Sequence, residues 1–126
     1  MKEFKVSLSN RPGELANLAE LLGDRRINIV SVAGVSEGKK SSTVTLVTED
    51  EANTREALRA ERFQFEEEEL LIVDLEDKPG ELATVARKLG DAQVNIESLY
   101  LLDKKEEGVK VGLEVDNRDK AEGVIS

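Results

Sequence analysis

Arg11-Pro12-Gly13-Glu14-Leu15 is written a second time in this chain, as Lys78-Pro79-Gly80-Glu81-Leu82, 67 positions later. These two copies hold the only two prolines in the 126 residues. Each copy follows an alternating apolar run and precedes a helix-period run. The chain therefore reads as two copies of one small unit built around a strand-to-helix turn. Such self-similarity at a fixed offset outranks any local reading of the fold.

Working outward from the turn, residues 11–29 and 78–96 are identical at eleven of nineteen positions. Before the first copy, Phe4, Val6 and Leu8 alternate with Lys5, Ser7 and Ser9, a strand with one buried face. Pro12 is expected in the first helical turn, where its missing N–H costs nothing. Leu15, Leu18 and Leu22 recur on one helical face, and Gly23-Asp24 is expected to end that helix. Ile27 to Val35 is rich in β-branched residues and reads as a second strand. Glu37-Gly38-Lys39-Lys40 is a hairpin turn, and Thr43 to Thr48 a third strand. Glu51 to Glu61 reads as a second helix, and Phe63-Gln64-Phe65 as a short fourth strand. The acidic run Glu66 to Glu69 is expected to be a solvated connector.

The order then restarts. Leu71, Val73 and Leu75 replace Phe4, Val6 and Leu8, and Leu82, Val85 and Leu89 replace Leu15, Leu18 and Leu22. Val111 and Leu113 match Val44 and Leu46, and Asn117 to Ile125 is a helix candidate. No counterpart of Phe63-Gln64-Phe65 follows. The fold class is α+β: two β-α-β-β-α-β repeats of the ferredoxin-like kind, over residues 1–67 and 68–126, the second lacking its last strand. The strand order within a repeat is 4-1-3-2. Edge strands invite pairing, so the repeats are expected to join strand two to strand two in one shared antiparallel sheet of seven strands, with all helices on one face. Val30, Val32, Ile72 and Leu99 are expected on the other face, where an apolar patch would mark an interface.

Composition narrows the function. Lys plus Arg is 18 against 27 Asp plus Glu, a net charge of −9. That surface repels phosphate backbones and anionic lipid headgroups, so neither nucleic acid nor membrane is an expected partner. The chain has no Cys and no His. Disulfides, zinc and iron–sulfur sites, and His or Cys catalysis are excluded. No metal or cofactor is expected. No segment has the ~20 apolar residues of a membrane span, and Met1-Lys2-Glu3-Phe4-Lys5 has no signal-peptide core, so a cytoplasmic location is expected.

The chemistry sits at the turn. A helix N-terminus offers N–H groups and a partial positive charge, which suits a carboxylate. Gly13 and Gly80 let a ligand approach the backbone. Asn28 and Asn95 stand at the start of the second strand of each repeat, and an Asn amide both donates and accepts. Those are the needs of the two ends of an amino acid. The same residues also serve simply to start a helix and to cap a loop, and the pattern alone leaves both readings open.

Two copies of Asn/Asp-x-Pro-Gly-Glu-Leu, each with Asn-Ile opening a strand at the same distance, resemble a tandem ACT-domain protein. The resemblance covers Phe4–Phe65 and Leu70–Ile125. It implies a non-catalytic regulatory protein that binds a small ligand, an amino acid in most such proteins, between associated ACT units. Carried onto this chain, one site uses Asn10, Arg11, Pro12, Gly13, Glu14 and Leu15, and the other Asp77, Lys78, Pro79, Gly80, Glu81 and Leu82. Asn28-Ile29 and Asn95-Ile96 complete them across an interface. The missing last strand and the absence of an attached enzyme domain depart from the family pattern. The expected partners are an amino acid, a second copy of the chain in a homodimer, and a separate regulated enzyme. Two other classes compete: a ligand-free assembly module pairing through sheet edges or the open sheet face, and a small acyl-phosphate hydrolase using Arg11 and Asn28. In the second copy Lys78 replaces the arginine that this last reading needs.

Overall fold

The computed structural model describes residues 1–125. Eleven elements follow in order: β1 (Lys2–Ser9), α1 (Glu14–Asp24), β2 (Ile29–Ser36), β3 (Ser41–Thr48), α2 (Glu51–Ala60), β4 (Gln64–Glu69), β5 (Leu71–Leu75), α3 (Glu81–Asp91), β6 (Ile96–Lys105), β7 (Gly108–Val115) and α4 (Arg118–Ile125). They divide into two compact units, Met1–Glu68 and Glu69–Ser126. The fold is α+β, with a ferredoxin-like order in the first unit and the same order short of its last strand in the second.

In the first unit the strands lie β2-β3-β1-β4, the order expected of the motif. β1 and β3 are antiparallel, with Phe4 opposite Leu46 and Val6 opposite Val44. The alternation of β1 turns Phe4, Val6 and Leu8 toward the helices. They form one core with Leu18 and Leu22 of α1 and with Ala57 and Leu58 of α2. Phe63 and Phe65 pack against this core, and the Phe65 ring lies 6.1 Å from that of Phe4. In the second unit the order is β5-β7-β6. Leu71, Val73, Leu89, Val111, Leu113 and Ala121 form the equivalent core. Among the described residues no strand pairs with the free edge of β5.

The strands pair in two separate sheets of four and three, not in the single seven-stranded sheet expected. β2 and β6 are both outer strands, and both are interrupted. The register slips between Ile29 and Ser31 in β2, and between Ile96 and Ser98 and again between Leu101 and Asp103 in β6. A bulge twists an edge and breaks the even run of N–H and C=O groups that edge pairing needs. The same slips reverse the side-chain alternation. Val32 sits opposite Leu46, and Leu99 opposite Leu113, both core residues, so Val32 and Leu99 lie on the helical face rather than the open one. Ile72, opposite Gly112, keeps the face away from the helices.

Two local features add to the expectations. α1 ends at Asp24, where Gly23-Asp24 is expected to end it. Beyond its C-cap Arg25, Arg26 takes a left-handed φ of 57°, while Ile27 N–H donates to the Leu22 carbonyl (2.9 Å). Arg62 and Gln93 end α2 and α3 in the same way, each followed by an apolar residue bonded back into the helix. This is the paired-bond helix stop that glycine commonly supplies, made here by other residues. The run Glu66–Glu69 belongs to β4 rather than to a connector. Glu67 takes a bidentate pair from Arg55 of α2, with Nη2 to Oε2 at 2.9 Å, and Lys2 of β1 stands 3.4 Å away. This countercharge lets an acidic strand form beside β1.

Candidate ligand-binding clefts at the duplicated turn

Pro12 lies outside the helix. Glu14 N–H donates to the Arg11 carbonyl (3.3 Å), and Gly13 has φ 91° and ψ −14°. Those angles make Arg11–Glu14 a type II turn, with Pro at the position whose φ it presets and Gly at the one that needs positive φ. Lys78–Glu81 repeats it, with Gly80 at φ 89° and ψ −10°. Gly13 and Gly80 are also the N-cap residues of α1 and α3, and no side chain caps either helix. The first-turn N–H groups of an α-helix find no partner within the helix. Glu14 and Glu81 N–H close the turns, and the next N–H groups of each helix retain donor capacity beside a partial positive charge.

The turn is tied to the nearby hairpin in each unit, by different chemistry. Asn10 N–H donates to the Lys40 carbonyl (3.0 Å), and its Nδ2 donates to the Gly38 carbonyl (3.1 Å). In the second unit the Asp77 carboxylate pairs with Lys104 at 3.3 Å. The cations of the turns are also held. Arg11 Nη2 donates to Glu14 at 2.9 Å. Lys78 Nζ lies 2.7 Å from Glu76 and 3.4 Å from Glu81. The hydrogen bond from Lys78 holds the Glu76 carboxyl below its ordinary range, and the bond to Glu76 raises the Lys78 ammonium.

A cleft opens beside each turn. The first, about 280 Å³, is lined from the turn by Asn10, Arg11, Glu14 and Leu15. Its far wall is Gly34, Val35 and Ser36 of β2 with Ser42 of β3. The register explains this: Ser36 lies opposite Ser42, and Ser9 opposite Ser41, so the end of β2 and the end of β1 share one edge of the sheet. The second cleft, about 250 Å³, is lined by Asp77, Lys78, Glu81 and Leu82 against Leu99 and Leu101 of β6 and Val109 of β7. Pro12, Gly13, Pro79 and Gly80 shape the turns without lining the clefts.

Asn28, Ile29, Asn95 and Ile96 stand at the opposite end of the sheet from the turn of their own unit. From Ile29 to Ser36 a strand rises ~23 Å. Ile29 and Ile96 pack against the two cores. The Asn28 carbonyl accepts from Glu49 N–H (3.2 Å); the Asn95 carbonyl accepts from Asp116 N–H (3.1 Å), and Asn95 N–H donates to Asp116 Oδ1 (2.9 Å). Both asparagines are exposed. Among the described residues there is no group of three or more His, Cys, Asp or Glu placed to hold a metal ion. No described helix is long and apolar enough to cross a membrane.

Residues 70–124 match the family model of the ACT domain. The first unit repeats that unit's order, its type II turn and its helix start. By this match the second unit is an ACT domain, and the first resembles it in fold. Among solved structures, the chain is similar to protein BT0572 from Bacteroides thetaiotaomicron, at 23% identity and a TM-score of 0.88, over 98% of this chain and 84% of that one. It is also similar to the regulatory subunit of aspartate kinase from Thermus thermophilus, in a ligand-free form, at 15% identity and a TM-score of 0.68, over 98% and 87%. The Thermus flavus subunit gives 16% identity and the same TM-score. At these identities the likeness concerns the fold. A search of curated proteins finds no match.

Proposed function

We propose that this chain is a tandem ACT protein, a non-catalytic, cytoplasmic sensor that binds an amino acid at its two turns and regulates a separate enzyme. The observation that carries the reading is the duplicated, uncapped helix start opening onto a cleft. The N–H groups there suit the ligand carboxylate. Glu14 or Glu81, and an Asn amide, suit its ammonium. Asn28 and Asn95 are exposed and lie far from their own turns, so a second copy of the chain supplies them, and the working form is a homodimer. Ligand occupancy acts by favouring one association state over another, which requires different affinities for the two. That two fold neighbours are regulatory subunits of aspartate kinase supports this role.

Thermal melting against the twenty amino acids at millimolar concentration tests the reading. A ligand that binds only the folded chain at ~100 times its Kd adds about 2.7 kcal/mol, a shift of several degrees. One or a few chemically related amino acids should give that shift. A folded dimer that no amino acid stabilises points to the competing reading, an assembly module. The exposed Leu82, Leu99 and Leu101 and the outer strands β2 and β6 favour that alternative.

A further inference from the structure

We infer that the two clefts have diverged in ligand class: the second takes an amino acid with an apolar side chain, and the first does not. The inference rests on the reading that these clefts bind amino acids. At the repeat offset of 67, Leu8 corresponds to Leu75, Arg11 to Lys78, Glu14 to Glu81, Leu15 to Leu82 and Val44 to Val111. All of these line their clefts. The charged end of the site is thus kept, with one cation and one carboxylate from each turn.

The opposite wall is not kept. Gly34 is replaced by Leu101, and Ser42 by Val109. Leu99 also joins the second lining, whereas its counterpart Val32 does not line the first. Leu82, Leu99 and Leu101 are 45%, 43% and 55% exposed. One exposed leucine is ordinary; three meeting at one cleft beside charges of both signs are not. An apolar wall facing Lys78, Glu76 and Glu81 matches a molecule with an apolar body and two opposite charges at one end. In the first cleft the far wall has Val35 alone among exposed large apolar residues, with Ser36, Ser42 and the space beside Gly34 around it. A Cβ built on Gly34 meets only Val44, at 3.8 Å, so this space accepts a side chain without strain.

Methyl NMR on the full chain, titrated with L-leucine and separately with L-serine, tests the divergence. L-leucine should move the methyl signals of Leu82, Leu99 and Leu101 at a Kd about tenfold or more below that for Leu15 and Val35, the scale of discrimination that a methylene or two supplies. Leu101→Ala should weaken leucine at the second cleft about tenfold. The double change Gly34→Leu with Ser42→Val should strengthen leucine at the first cleft by a similar factor. The gain-of-binding variant keeps the test sound if the loss variant folds poorly. Equal affinity of both ligands for both clefts overturns the divergence and leaves the sensor reading standing. Binding of no amino acid at either cleft overturns both. Loss of self-association in Leu101→Ala, with no leucine bound by the parent chain, also overturns the divergence, because a second copy then fills the cleft.

Discussion

The two repeats begin with the same five-residue turn and finish differently. In the first, β1 is flanked on both sides, by β3 and β4, and Phe63 and Phe65 seal the core. In the second, among the described residues, β5 pairs with β7 alone. Yet the turn geometry agrees within a few degrees: Gly13 at φ 91° and Gly80 at φ 89°. The turn is therefore set by its own residues and not by the strand that completes the sheet. The tie to the hairpin makes the same point: Asn10 and Asp77 hold the equivalent loop by a side-chain amide hydrogen bond in one unit and an ion pair in the other.

The largest test of equivalence lies in the cores. Leu22 and Leu89 occupy matching positions, and both are fully buried. Leu22→Ala and Leu89→Ala should each cost ~2–5 kcal/mol, measured by denaturant melting. Leu18 is buried but its counterpart Val85 is half-buried, so Leu18→Ala should cost more than Val85→Ala. Equal costs for that second pair would break the account of the cores.

Next come the turns. A Cβ at Gly13 or Gly80 meets nothing within 4 Å, so an added methyl clashes with no neighbour and the cost is backbone strain alone. Gly13→Ala and Gly80→Ala should each lose ~1–2 kcal/mol, by nearly equal amounts. For this reason a bulky residue at Gly13 tests the turn rather than ligand access. Unequal losses would mean that the flanking strand, not the turn, fixes the geometry.

The pH response separates the repeats through Glu67, which has no counterpart among the described residues of the second. The Arg55 hydrogen bond holds the Glu67 carboxyl below its ordinary range. A depressed acid stabilises the fold fully above its unfolded value of ~4.3, and the contribution fades as pH falls through the lowered folded value. Glu67→Gln should therefore flatten the acid limb of the stability profile and leave neutral-to-alkaline slopes unchanged. The smallest expected effect is a gain: Arg26→Gly or Gln93→Gly should add ~0.5–1 kcal/mol by relieving a left-handed non-glycine residue.

Much of this was legible in the chain. The duplicated turn and the period-two and period-3.6 runs gave the element order and the cores. The end of α1 at Gly23-Asp24 was legible, but the left-handed Arg26 just beyond it was not, because arginine carries no left-handed signal. Of the β4 glutamates, Glu66, Glu68 and Glu69 are solvated as read, and only Glu67 is held by Arg55, twelve residues earlier. The bulges in β2 and β6 moved Val32 and Leu99 to the helical face, and no local pattern announces a bulge. Asn10, Arg11, Glu14 and Leu15, with their copies, line the clefts and were singled out by the repeat alone. Gly34, Ser42, Leu101 and Val109 were not, because the sheet register brings them there. Setting position 34 against 101 and 42 against 109 at the repeat offset was the one signal that pointed to them.

The most direct test of the central claim is an amide NMR titration of the full chain with whichever amino acid raises the melting temperature most. The account predicts shifts concentrated at residues 10–15 or 77–82, accompanied by Asn28 or Asn95. Shifts confined to other surfaces, such as the free edge of β5, would contradict it.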